Sequence, residues 1–124
     1  MRDRPVWVVL LSRDVQSAMQ FYREAVGWRF ELLTDERVAC WVAKSGDDEP
    51  LAVFVDASAS DFPDARELWL PYFTVDDLDR RISEAEARGA TILREPSDIP
   101  GIGRVATLRQ PDGGIVAWRS PAAS

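Results

Sequence analysis

The chain has 124 residues, 46% hydrophobic and 29% charged, with a formal net charge of −6; that is enough to bury one core without staples, in a composition unlike a disordered chain. No run of Lys or Arg offers a grip for nucleic acid or an anionic membrane, no apolar stretch reaches bilayer length, and the apolar run after "MRDRP" is too short for a signal peptide, so a cytoplasmic protein is expected. There is no histidine, which excludes Ser-His-Asp and Cys-His catalysis and His-bearing zinc or iron sites.

In chain order, "VWVVLLSRDV" alternates like a strand and then enters a helical pattern at Asp14. Val15, Met19 and Tyr22 recur at spacings of four and three, which makes one apolar helix face. Gly27 supplies the expected left-handed stop. Strands follow at "WRFELL", at "ERVACWVA" from Glu36, and at "LAVFVD". The acidic "GDDE" between the last two reads as a solvated hairpin tip. The lone Cys40, flanked by "VACWV", reads as an inert buried position, since reactive thiols sit near positive charge and solvent. "ASASDFPDARE", residues 57–67, is a proline-bearing linker or hinge.

The same order then repeats. "LWLPYFTVDDL" is the second strand-to-helix junction, with Asp77 on Asp14, Leu70 on Trp7, Phe73 on Leu10, and Leu78, Ile82 and Ala85 on Val15, Met19 and Tyr22. Asp14 and Asp77, or the neighbouring Ser12 and Asp76, are suited to cap the first helical turn. After Gly89 come strands at "ATIL", at "GRVATLRQ" from Gly103, and at "IVAWRS", the last two joined by the turn-forming "PDGG". "EPSDIPGIG", Glu95 to Gly103, with two prolines and two glycines, reads as a shaped loop, either a lid or a connection. Each half is therefore strand, helix, strand, strand, strand, with module one at residues 5–56 and module two at 68–121 of a single domain.

"SRDVQSAMQFYREAVGW" and "YFTVDDLDRRISEAEARG" opening the two halves, with "QPDGGIVAW" closing the second, give a pattern that resembles the vicinal oxygen chelate superfamily of glyoxalase I, extradiol dioxygenases and bleomycin resistance proteins. The resemblance implies an α+β fold of two βαβββ modules, in which a curved mixed sheet wraps a ligand cleft and the helices lie on the outer face. It also implies metal ligands on the first and last strand of each module. Those positions here fall on Trp7, Leu70, Ala117 and either Val53 or Phe54. None is a metal ligand, so a metal-dependent lyase or dioxygenase is disfavoured, and neither a metal nor another cofactor is expected.

If those positions face the cleft, period-two alternation puts Trp7, Val9 and Leu11 on one wall, Leu70, Tyr72 and Thr74 opposite, and Ile115, Ala117 and Arg119 on the last strand. The other parity, Val8, Leu10, Trp69, Phe73, Val116 and Trp118, would pack beneath the helices. The candidate ligand-binding set is Trp7, Val9, Leu70, Tyr72, Thr74, Ala117 and Arg119, with no catalytic residue assigned. Trp7 either stacks on a ligand or fills an abandoned metal site. Tyr72 either hydrogen-bonds a ligand or is satisfied within the sheet. Arg119 either clamps a carboxylate or phosphate or reaches solvent from a strand end. The resulting expectation is a metal-free small-molecule binding protein for an aromatic or planar ligand, as in drug sequestration, with an acidic surface that would suit a cation. An enzyme of glyoxalase or dioxygenase type using Tyr72 or Arg119 and a regulatory module with a vestigial cleft are the alternatives. The resemblance further implies a homodimer.

Overall fold

The structure is a computed structural model that describes residues 5–36, 38–57 and 68–121. The linker assigned to 57–67 lies outside the described residues except for Ala57, as does Arg37 of "ERVACWVA". Two compact units emerge, Val8–Trp69 and the described parts of Met1–Trp7 with Leu70–Ser124. Each holds one helix of the repeat, but the units divide after Trp7 and after Trp69 rather than at the module bounds read from the sequence.

In the first unit, β1 (Val6–Ser12, of which Val6 and Trp7 fall in the other unit), α1 (Val15–Val26), β2 (Arg29–Thr34), β3 (Cys40–Lys44) and β4 (Pro50–Asp56) follow in order. The strands lie β2-β3-β4-β1, with β1 parallel to β4 and the others antiparallel. Asp14 caps α1 by accepting the Ser17 N–H at 3.3 Å, and Gly27 closes it at φ 75°, where a Cβ would be strained. The buried helix face of Val15 and Met19 meets Leu10, Ala43, Ala52 and Phe54. Tyr22 stacks on Trp28 at 4.6 Å between ring centroids and meets Phe54 edge-on at 5.6 Å, so the helix seats on an aromatic floor. Glu36, Val38 and Ala39, read as part of a strand, precede β3 instead, because the β2–β3 ladder slips between Leu32 and Thr34 and pairs Thr34 directly with Cys40.

The second unit contains β5 (Leu68–Thr74) from Leu70 on, α2 (Leu78–Ala87), β6 (Thr91–Ile99), β7 (Gly103–Arg109) and β8 (Ile115–Ser120), with strands in the order β5-β8-β7-β6. Leu78 and Ile82 of α2 pack on Ala106, Leu108 and Val116. Asp77 does not repeat the cap. It sits at φ 45°, makes no side-chain bond to the helix N-terminus, and turns its carboxylate to Arg80 at 3.2 Å.

Two expectations change here. Glu95 to Ile99 form the second half of β6 rather than a loop, leaving only a tight turn before β7. The strand accommodates Pro96 because β6 is the edge of this four-strand order and its ladder shifts between Arg94 and Ser97. Phe73 is exposed rather than under a helix, since α2 lies over β6, β7 and β8 and leaves β5 uncovered. Val8 and Trp69 are also partly exposed, although Trp69 keeps edge contacts with Tyr22 and Phe54. Leu10, Val116 and Trp118 pack on the helix side as their parity requires.

Candidate functional site

Strand register determines what the second unit brings together. β5 and β8 run parallel with Tyr72 opposite Ala117 and Thr74 opposite Arg119. The Thr74 N–H donates to the Pro5 carbonyl at 2.9 Å, which holds the start of β1 in this unit and carries Trp7 with it. On the far side of β8, Arg119 faces Val105 of β7, and Val105 faces Ser97 of β6. Directly opposed residues share a face, so Thr74, Arg119, Val105 and Ser97 form one row across four strands.

Of the residues singled out from the sequence, Trp7, Leu70, Tyr72, Ala117 and Arg119 all belong to this unit and all are buried, while Thr74 is half-buried. Val9 is fully buried in the first unit, where it pairs with Val53. Ile115, placed on the same wall by alternation, is partly exposed. The Val9–Val53 pair is the counterpart of Tyr72–Ala117, which makes Val53 rather than Phe54 the last-strand position of the first module.

Arg119 does not reach solvent. It is 4% exposed, donates from Nε to the Ile102 carbonyl at 2.9 Å and from Nη1 to Thr74 Oγ1 at 3.1 Å, and lies over Trp7 with Cζ 4.2 Å from the ring centroid. Burial pushes its pKa below the ordinary value, but a guanidinium remains a cation at neutral pH. Among the described residues no carboxylate pairs with it. Trp7, 3% exposed, offers its indole face to this cation while its Nε1–H is buried without an acceptor. Ser97 Oγ, at the other end of the row, is likewise buried without a partner. Sequence reasoning missed Ser97 and the Ile102 carbonyl, because both fall in the stretch read as a loop and neither has a local signal.

The four metal-ligand positions of the resemblance are Trp7, Val53, Leu70 and Ala117, an indole and three hydrocarbons. Such a donor set does not fit a metal ion. Among the described residues, no group of three or more His, Cys, Asp or Glu is placed to hold one. Elsewhere, Cys40 is buried and its thiol is pushed up to about 12, first by burial and then by the charge of Asp56, so it is no nucleophile. A shallow groove of about 400 Å³ beside α2 is lined in part by Asp77, Asp79, Asp98 and Arg104. Arg104 is already held by Asp79 at 2.8 Å and 3.1 Å and by Asp98 at 3.3 Å. No described helix is long and apolar enough to cross a membrane.

A model of the Glyoxalase/Bleomycin resistance protein/Dioxygenase superfamily matches residues 4–117. The Mycobacterium bovis protein CFP32, a glyoxylase by provisional name only, is 32% identical over 120 residues, covering 94% of this chain and 44% of its own length. The anthracycline biosynthesis protein DnrV of Streptomyces peucetius is 29% identical over 128 residues, covering 93% and 46%. The chain thus spans a little under half the length of these relatives. A crystal structure of a superfamily member from Vibrio splendidus 12B01 superposes with a TM-score of 0.53 at 15% identity, covering 94% of this chain and 98% of that one. Its likeness is one of fold.

Proposed function

The chain belongs to the Glyoxalase/Bleomycin resistance protein/Dioxygenase superfamily, and from that premise we propose that it is a metal-free small-molecule binding protein whose ligand is planar or aromatic. The observation that carries this reading is the side chains at the superfamily's metal positions, Trp7, Val53, Leu70 and Ala117, which replace charge-bearing donors with an indole and hydrocarbon. What they offer is apolar contact and an aromatic face, the means by which small-molecule sites hold organic rings. In the second unit the proposed ligand face carries Trp7, Leu70, Tyr72, Thr74, Ala117 and Arg119, and Val9 is the corresponding position of the first.

Because most of these side chains are buried, a ligand must part them to enter, and binding should stabilise the fold by mass action. We include a homodimer as the working unit in the proposal, since β2 and β6 each end their strand order and an edge strand favours pairing with a second copy. A thermal-shift screen of purified protein against planar aromatic compounds, with elemental analysis of the same sample, tests the reading. A concentration-dependent rise in Tm without stoichiometric metal supports it. No shift across the panel, or a bound transition metal, counts against it.

A further inference from the structure

The row Thr74–Arg119–Val105–Ser97 contains more hydrogen-bonding capacity than the protein itself uses. A guanidinium has five N–H donors. Arg119 commits one to the Ile102 carbonyl and one to Thr74 Oγ1, and among the described residues the rest have no acceptor. A buried cation without a counter-charge is costly, because the interior repays desolvation only through a well-placed partner. Beside it the Trp7 Nε1–H is also buried and unanswered. Two groups with unmet donors thus belong to one guanidinium–indole stack, whose Cζ-to-centroid distance is 4.2 Å.

We infer that this stack is an anion clamp, and that the ligand proposed above is specifically a planar aromatic carboxylate whose carboxylate is held by Arg119 and Trp7 Nε1. The inference rests on the ligand-binding reading. A carboxylate supplies the acceptors and charge that both donors lack, and a guanidinium fork matches its geometry. The apolar Val105 lies next along the row, opposite Arg119, and Ser97 follows it. Two strand spacings put Ser97 about 10 Å from Arg119, a distance suited to a polar group on the far end of a fused-ring acid. The net charge of −6 would by itself suggest a cationic ligand, but overall charge acts on encounter while the buried group decides what is held.

Calorimetric titration of the full chain with 2-naphthoate and 2-naphthamide, alike in ring and size but not in charge, tests the clamp. Naphthoate should bind about tenfold or more tighter, the factor expected of charge-assisted hydrogen bonds. Arg119→Met should erase that preference and Arg119→Lys should retain part of it. Trp7→Phe, which keeps a ring but removes the N–H, should reduce the preference several-fold. Should Arg119→Met fail to fold by circular dichroism, the wild-type preference and the Trp7→Phe change decide the matter. Equal binding of acid and amide, or binding of neutral planar aromatics where naphthoate fails, overturns the clamp and leaves the ligand-binding reading intact. Absence of binding by all of these overturns both.

Discussion

Replacing Trp7 by alanine and by phenylalanine should produce very different losses. With 3% of its surface exposed, the indole is a core-sized group, and its deletion to a methyl costs about 3–5 kcal/mol. Arg119 also loses its aromatic face, a contact worth roughly 0.5–2 kcal/mol. Against this, the substitution removes an N–H that is buried without an acceptor, a burden of about 1–3 kcal/mol. These last two largely offset each other, so Trp7→Ala should lose about 3–5 kcal/mol. A chain of this size has roughly 5–15 kcal/mol in total and should remain folded, though barely at the lower end. Phenylalanine keeps a ring beneath Arg119, removes the same unmet N–H and leaves a smaller void, so it should cost about half as much or less. Urea denaturation followed by circular dichroism at constant m-value measures both. If phenylalanine proves as damaging as alanine, the indole N–H has an acceptor, and the reasoning that makes it an unmet donor fails.

Asp14→Ala should cost about 1 kcal/mol by loss of the α1 cap, whereas Asp77→Gly should be neutral or slightly stabilising in thermal melts, because Asp77 caps nothing and occupies a left-handed conformation at φ 45°. Cys40 should resist alkylation in native protein at pH 8 and react on unfolding. Its folded pKa lies above the unfolded one, so its contribution is fully present below about 9 and is lost as pH rises toward about 12; the difference between wild type and Cys40→Ala in alkaline melts should show that loss. Metal analysis of protein purified without chelators should find no stoichiometric zinc, iron, nickel or manganese, and one equivalent surviving dialysis would contradict the metal-free proposal. Sedimentation of dilute protein should give a dimer, against which a monomer at high micromolar concentration would stand.

The repeat made the modules legible because strand alternation and helix periodicity agree wherever an element buries one face. β1, α1 and β8 fall where "VWVVLLS", the Val15–Met19–Tyr22 spacing and "IVAWRS" put them. The second half of β6 was hidden by Pro96 and Pro100, since proline argues against a central strand and the sequence alone did not reveal that this strand is an edge. The capping difference was equally hidden, because whether an aspartate caps depends on its backbone angles, and Asp14 and Asp77 have the same side chain at φ −134° and 45°. For the site, alternation assembled Trp7, Tyr72, Thr74, Ala117 and Arg119 on one side of a sheet. It could not show that Arg119 is held by a carbonyl 17 residues away, a tie with no short-range trace.

The division of β1 has a consequence for the order of folding. The compact unit Val8–Trp69 is continuous in the chain, but the other unit takes in the start of β1 and resumes only at Leu70. Emerging from a ribosome, the continuous unit has all of its strands before β5 exists, while Trp7 must wait unpaired. Closing so long a loop adds only a logarithmic entropy penalty, yet contacts of that sequence separation form slowly. Trp7 should therefore be among the last side chains to be buried and the first to be exposed to a protease or an added fluorescence quencher. Splitting the gene near residue 60 would give a first fragment with its ladder intact and a second fragment lacking the strand that carries Trp7.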